Sequence, residues 1–201
     1  MDAPLVFTLY FFFFDFVHSL TASHYFKNKV YQFISLESYR LVYTLIAALT
    51  ALPIVYLWFS FREMSPLLYS FGSPYAAISI LMIIFGIYFV FSSFIITDLV
   101  DFTGLNVILK RKSKNKGLVQ EGVYAITRHP LYLGGILVLW SNPSMKIIDF
   151  LASSLFTLYF MIGGLLEENK LEEEFGELYL DYKKEVSMMF PLKWILKRII
   201  R

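Results

Sequence analysis

Cysteine is absent from this 201-residue sequence, and charged residues make up only 17% of it. The first absence excludes disulfides, thiolate metal ligands and a cysteine nucleophile. Soluble domains usually carry about a quarter charged residues, whereas apolar residues reach 57% of this chain. We therefore interpret the chain as an integral membrane protein.

Motifs of several soluble enzyme classes are also missing. There is no glycine-rich phosphate loop, no His-Glu-x-x-His and no Gly-x-Ser-x-Gly, and we predict no metal site. The basic residues between positions 110 and 116 lack interleaved aromatic residues. This favours contact with lipid headgroups over nucleic-acid binding. The N-terminus lacks a basic n-region, so we interpret its first apolar segment as a retained helix.

Apolar runs of membrane-spanning length recur along the chain. About twenty helical residues cross a hydrocarbon core of about 30 Å. We predict spans at residues 4–22, 41–60 and 76–97, and a tight helical hairpin from residues 131–140 and 147–166. The predicted fold is an all-α integral membrane protein with about five transmembrane segments, including this short hairpin, and a cytoplasmic amphipathic C-terminal helix.

The basic residues predict the orientation. All 18 Lys and Arg residues except Arg62 and Lys146 lie in segments that the predicted spans place on the same side of the membrane. The positive-inside rule makes that side cytoplasmic. The N-terminus is then outside and the C-terminus inside. We expect one integrated domain, with three spans in residues 1–108 and the catalytic hairpin and C-terminal helix in residues 109–201. Residues 192–201 alternate bulky apolar and basic residues, which is typical of a helix on a membrane surface.

The tripeptide Arg128-His129-Pro130 precedes the hairpin. Pro130 suits the first turn of a helix, so Arg128 and His129 should lie just before a helix N-terminus, where an anionic ligand is favoured. The alternative is that Arg128 reaches lipid phosphates and His129 caps the helix.

Half of the 16 acidic residues lie between positions 167 and 185. Helical spacing predicts one inward stripe there, formed by Leu165, Glu168, Leu171, Phe175, Leu178 and Tyr182. Glu168 interrupts that stripe, and a charge on an inner face must find a partner.

Two further polar positions lie in or beside the spans. Asp15 and His18 are nearly one turn apart in the first span, where they either serve a function or form a hydrogen bond that only holds the bundle together. Asp101 is expected to cap the segment after the third span.

These motifs resemble a known family. The signature of the isoprenylcysteine carboxyl methyltransferase superfamily is similar to Gly122-Val123-Tyr124, Arg128-His129-Pro130-x-Tyr132-x-Gly134 and Glu167-Glu168. The NnrU-like branch, which includes methanethiol S-methyltransferases, resembles the stretches Val17-His18-Ser19 and Asp101-Phe102-x-Gly104-Leu105.

The resemblance implies a methyltransferase that binds S-adenosyl-L-methionine in a cytoplasm-facing pocket. Its catalytic residues would be His18, His129 and Arg128. Its cofactor-binding residues would be Tyr124, Arg128, His129, Pro130, Tyr132, Gly134, Glu167 and Glu168. Arg128 would hold the cofactor carboxylate, and His18 or His129 would take the proton of a thiol acceptor.

The acceptor stays open at this point. We favour a small thiol or another lipophilic molecule that arrives from the bilayer or through the bundle. One alternative is the carboxyl group of a prenylated cysteine. Another is a non-catalytic NnrU-like membrane factor in respiratory nitrogen-oxide metabolism, and cofactor affinity would discriminate between that factor and an enzyme.

Overall fold

The computed structural model describes residues 2–73, 75–112 and 117–200, with the side chain of Glu37 excepted. The basic segment 113–116, part of the expected headgroup contact, lies outside the described residues, as do Pro74 and Arg201. The helices are α1 (Ala3–Ala22), α2 (His24–Val30), α3 (Leu36–Met64), α4 (Tyr75–Thr97), α5 (Leu99–Thr103), α6 (Pro130–Trp140), α7 (Ile147–Phe175), α8 (Glu177–Glu185) and α9 (Leu192–Ile199), with a 3₁₀ turn at Gly122–Ala125.

The long apolar helices match the predicted spans. Within the described residues, α1, α3, α4 and α7 are long and apolar enough to cross a membrane. The shorter α6 has 11 residues, too few for a straight span of the hydrocarbon core. The all-α membrane fold with a short hairpin arm is therefore confirmed.

Helix boundaries differ from the predicted ones where capping residues act. The Ser35 hydroxyl accepts the Ser38 N–H at 3.2 Å, so α3 begins five residues before the predicted position 41. Ser23 similarly caps α2 in a segment predicted as a polar turn. The expectation for Asp101 was wrong: Asp101 is buried inside α5, and the Asp98 carboxylate accepts the Val100 N–H at 3.3 Å as the cap.

Two short strands were not predicted. β1 (Leu67–Ser70) pairs with β2 (Ser144–Lys146). The Phe71 N–H also donates to the Pro143 carbonyl at 2.9 Å. Strands of three and four residues are too short to show an alternating pattern in the sequence.

The described residues form two compact units. The first lies within Met1–Leu68, Asp98–Asn115 and Lys146–Ala152, where α1 packs against α3. Its buried Asp149 accepts hydrogen bonds from Arg62 and from the Trp58 indole.

The second unit lies within Tyr69–Thr97, Lys116–Met145 and Ser153–Arg201. Its main packing is α4 against α6. The predicted organisation as residues 1–108 and 109–201 within one integrated domain stays a prediction.

The acidic stretch is one helix only as far as Phe175. Gly176 has a φ of 55°, a left-handed conformation that glycine adopts without steric cost, and it separates α7 from α8. The predicted inward stripe is confirmed at Glu168 and Tyr182, which are buried, and wrong at Leu165 and Leu178, which are exposed. Tyr179, which was not part of the stripe, is also buried.

Candidate functional site

The Arg-His-Pro motif enters α6 beside a neighbouring backbone segment. Pro130 is at the start of α6, as predicted, and His129 occupies the cap position without a side-chain capping bond. The Arg128 N–H donates to the Ser187 carbonyl, and the His129 N–H donates to the Met188 carbonyl, both at 3.0 Å. Residues 187–188 therefore fix the motif through their backbone.

A buried ion pair joins the motif to α7. Arg128 Nε donates to Glu168 Oε1 at 2.7 Å, and Arg128 Nη2 lies 2.5 Å from the same oxygen. Each side chain is only 6% exposed. Lys183 Nζ lies 3.2 Å from Glu168 Oε2. Glu168, singled out as the charge on an inner face, thus has two cationic partners.

The guanidinium of Arg128 has further partners on the α8 side. Arg128 Nη1 donates to the carbonyls of Val186 and, at 3.3 Å, Lys183. An anionic ligand would have to compete with these contacts. The predicted role of Arg128 in holding a cofactor carboxylate stays a prediction.

The neighbouring Glu167 is accessible. Its side chain is 47% exposed, and its Oε2 accepts the Tyr132 hydroxyl at 2.9 Å. His129 Nδ1 lies 3.6 Å from the same oxygen. The Tyr132 hydroxyl thus orients the Glu167 carboxylate, which remains accessible to a ligand.

Aromatic rings stack beside that carboxylate. The His129 and Tyr132 rings are 5.4 Å apart and nearly parallel, and the Phe160 ring of α7 stacks on Tyr132 at 5.3 Å. Gly164 leaves room for the motif, because a Cβ there would meet Met188 Cε at 2.7 Å and His129 Cδ2 at 3.7 Å.

His129 is buried between the two glutamates. Its Nε2 lies 3.5 Å from Glu168 Oε1, and its side chain is 4% exposed. Burial disfavours the imidazolium, but the carboxylates of Glu167 and Glu168 outweigh it, so the pKa of His129 is raised above 6.5. The two adjacent carboxylates thus favour the protonated form of His129.

The remaining predicted site residues of this unit pack around the motif. Burial, with Glu167 nearby, raises the pKa of Tyr124 to about 12 despite its hydrogen bond with Ser93. The Tyr124 carbonyl accepts the Tyr182 hydroxyl at 2.6 Å.

Gly134 faces α4 within the same unit. A Cβ on Gly134 would lie 2.7 Å from the Gly86 carbonyl oxygen and 3.0 Å from the Val90 nitrogen. Close packing of α6 on α4 is therefore one reason for glycine at this position. Its predicted contact with a cofactor stays a prediction.

His18 belongs to the first unit. Its Nε2 lies 2.6 Å from the Tyr43 hydroxyl, which links α1 to α3, and the neighbouring Asp15 accepts the Ser19 hydroxyl at 3.3 Å. This is the interhelical hydrogen bond that we considered as the alternative to a functional role. The predicted catalytic role of His18 stays a prediction.

Several site residues lacked a signal in the sequence. Ser187 and Met188 contribute backbone carbonyls, which every residue type carries. Lys183 is one of many charged residues in the stretch after position 167, and Phe160 is one of many apolar residues of a span. The pair Gly163-Gly164, one turn before the glutamates, could have indicated close packing, which the structure shows at Gly164.

Together these features define a helical membrane protein with a buried ion pair and an accessible carboxylate at one end of α7. The NnrU protein family matches residues 6–162, most of the chain. The chain belongs to this family.

Curated relatives carry two kinds of methyltransferase name. Methanethiol S-methyltransferase 1 of Bradyrhizobium diazoefficiens is 31% identical over 179 residues, covering 87% of this chain and 62% of that protein. Methanethiol S-methyltransferase of Mycobacterium tuberculosis is 27% identical, covering 87% and 72%. Protein-S-isoprenylcysteine O-methyltransferase of Schizosaccharomyces pombe is 32% identical over 92 residues, covering 43% and 38%. The chain thus spans less than two thirds of the first relative. No solved structure matches.

Proposed function

We propose that this protein is a membrane methyltransferase that uses S-adenosyl-L-methionine to methylate a small thiol or another lipophilic acceptor. The observation that carries the proposal is the accessible Glu167 carboxylate, held by Tyr132 beside a stacked set of aromatic rings. The names of the relatives, methanethiol S-methyltransferase and protein-S-isoprenylcysteine O-methyltransferase, support the same reaction class.

The residues around Glu167 suit a cationic, hydroxyl-bearing ligand. An exposed carboxylate accepts hydrogen bonds from an ammonium group or from ribose hydroxyls. The face of an aromatic ring attracts a cation; because Tyr132 already stacks on His129 and Phe160, Phe160 is the ring of this set that we propose for that contact. Bound S-adenosyl-L-methionine supplies an electrophilic methyl group on a positively charged sulfur, which these groups favour electrostatically.

The two adjacent glutamates have different roles in this proposal. Glu167 contacts the ligand, because its oxygens are accessible. Glu168 and Arg128 are positioning residues, because their side chains are almost fully buried against each other. Their ion pair holds α7 against the Arg-His-Pro motif and so sets where Glu167 points.

Methyl transfer from a sulfonium disperses charge, so we expect positioning and exclusion of water to supply much of the rate enhancement. A carboxylate acceptor needs no base, whereas a thiol must become a thiolate. Either His18 or His129 is the candidate to take that thiol proton, and the raised pKa of His129 makes its protonated form more favourable than that of a free imidazole.

We propose that the site and the C-terminus face the cytoplasm and that the N-terminus is outside. All Lys and Arg except Arg62 and Lys146 support this orientation. Single-cysteine variants at Lys112 and Glu63 test it, because a membrane-impermeant maleimide added to whole cells should label only the Glu63→Cys variant. Labelling of only the Lys112→Cys variant would reverse the orientation.

The enzyme assay compares Glu167→Gln with Glu174→Gln, an exposed glutamate on the same helix that serves as the matched control. A charge-assisted hydrogen bond contributes about 1.5–3 kcal/mol, so Glu167→Gln should raise the KM for S-adenosyl-L-methionine by about 10- to 100-fold. Glu174→Gln should match the wild type. Methanethiol and a farnesylated cysteine are offered as separate acceptors, with product detection by mass spectrometry.

Methylation of the farnesylated cysteine alone would favour the carboxyl-methyltransferase alternative. Absence of any product, together with no cofactor binding by the folded wild type, would favour a non-catalytic membrane factor. Equal KM values in the two variants would remove Glu167 from the ligand site.

A further inference from the structure

The C-terminal helix α9 has two chemically distinct sides. At 100° per residue, one arc collects apolar residues, namely Leu192, Ile195, Leu196 and Ile199. The opposite arc collects Lys193, Trp194, Lys197 and Arg198. No residue of α9 is buried.

Two lysines of the polar arc of α9 contact the end of α8. Lys193 Nζ donates to the carbonyls of Lys183 and Lys184 at 2.7 and 2.9 Å. Lys197 Nζ donates to the Glu185 carbonyl at 3.1 Å and contacts the Glu185 carboxylate. These carbonyls end α8, where cations are favoured by the helix dipole. Two of the three basic side chains of α9 are therefore engaged by the protein itself.

The apolar arc of α9 faces outward. Ile199 is 74% exposed, Leu192 is 63% exposed and Leu196 is 53% exposed. A surface helix in water places its apolar stripe against the core, so the orientation of α9 is the reverse of the usual one. In a membrane-embedded chain, an outward apolar stripe next to polar groups fits the boundary between headgroups and acyl chains.

We propose that α9 lies in the bilayer interface, with its apolar arc among the upper acyl chains and its polar arc on α8. Because Lys193 and Lys197 already contact the end of α8, the position of α9 in the interface depends on apolar burial and only weakly on anionic lipid. The basic composition of the segment alone would have predicted the opposite dependence on lipid charge.

The same contacts connect α9 to the candidate site. The Lys193 N–H donates to the Ser187 hydroxyl at 3.0 Å, and the Ser187 carbonyl accepts the Arg128 N–H. Lys193 also binds the carbonyl of Lys183, the residue that contacts Glu168. A bilayer that holds α9 therefore holds the backbone segment that fixes the Arg-His-Pro motif.

The absence of cysteine permits a direct test with single-cysteine variants labelled with bimane. Ile199→Cys places the probe on the apolar arc, and Arg198→Cys places it on the polar arc one residue away. Both are reconstituted in phosphatidylcholine vesicles with or without acyl-chain-brominated lipid. We expect brominated lipid to quench the Ile199 probe at least about twofold and the Arg198 probe far less. Replacing a third of the lipid with phosphatidylglycerol should leave both values nearly unchanged.

Three outcomes would overturn the proposal. Equal weak quenching by lipid with strong quenching by aqueous iodide would mean that α9 lies in water. Protection of the Ile199 probe from both quenchers would mean that protein, such as a second copy of the chain, covers the arc. Quenching of the Ile199 probe that appears only with phosphatidylglycerol would mean that charge, and not apolar burial, holds α9 in the bilayer interface. None of these readouts depends on methyltransferase activity.

Discussion

Replacing Glu168 with Gln should destabilise the protein far more than the same change at Glu172. Both residues lie on α7 one turn apart, and both contact Lys183. They differ in burial, because the Glu168 side chain is 6% exposed and the Glu172 side chain is 34% exposed. They also differ in partners, because Glu168 alone pairs with the buried Arg128.

The expected size of each effect comes from those differences. Removing one partner of a buried ion pair costs about 3–5 kcal/mol, because the other charge is left uncompensated. A Gln oxygen still accepts one hydrogen bond from Arg128. We therefore expect Glu168→Gln to lower the free energy of unfolding by about 3 kcal/mol, at the lower end of that range. Exposed ion pairs contribute about 0–1 kcal/mol, and Glu172→Gln should fall in that range.

The assay is the free energy of unfolding in mixed micelles of dodecylmaltoside and increasing dodecyl sulfate, followed by tryptophan fluorescence. Near-equal losses of unfolding free energy in the two variants would mean that the Arg128–Glu168 pair contributes no more than a surface contact, contrary to this prediction.

Three other predictions concern neighbouring positions. Gly134→Ala should lower the free energy of unfolding by about 1–3 kcal/mol through overpacking against α4. Gly163→Ala should not lower it, because nothing lies within 4 Å of a Cβ at that position. Equal melting temperatures for the two variants would contradict this prediction. Because the folded pKa of His129 is raised, its contribution to stability should be full below about pH 6.5 and be lost as pH rises through the folded pKa. The melting temperature of the wild type minus that of His129→Gln should therefore shrink from pH 6 to 9, and a difference that grows would contradict the sign. His18→Ala should slow methylation of a thiol but not of a carboxylate acceptor, and full thiol methylation by that variant would remove His18 as a base.

Properties of single segments could be predicted from the sequence. The helices α1, α4, α6 and the start of α7 match the predicted apolar runs within a residue, because length and apolar composition decide whether one segment can span a bilayer. Pro130 marked the start of α6 for a similarly local reason, since its fixed φ suits a first turn.

Properties that depend on distant backbone could not be predicted. Arg128 and Glu168 are 40 residues apart, and the Arg128 partners at Lys183 and Val186 are carbonyls that any residue would supply. Helical periodicity correctly singled out Glu168. It also extended the predicted inward stripe past Gly176, where the helix breaks, because hydrophobic spacing does not indicate a glycine with a positive φ. The strands β1 and β2 were missed because their pairing partners are more than seventy residues apart.

We propose that the residues around Glu167 hold the methyl donor. The most direct test is calorimetric titration of the detergent-purified protein with S-adenosylhomocysteine, comparing the wild type, Glu167→Gln and the control Glu174→Gln. We expect a dissociation constant of roughly micromolar order for the wild type and the control, and binding weakened at least about tenfold in Glu167→Gln. No binding by a folded wild type, or equal binding by all three proteins, would contradict it.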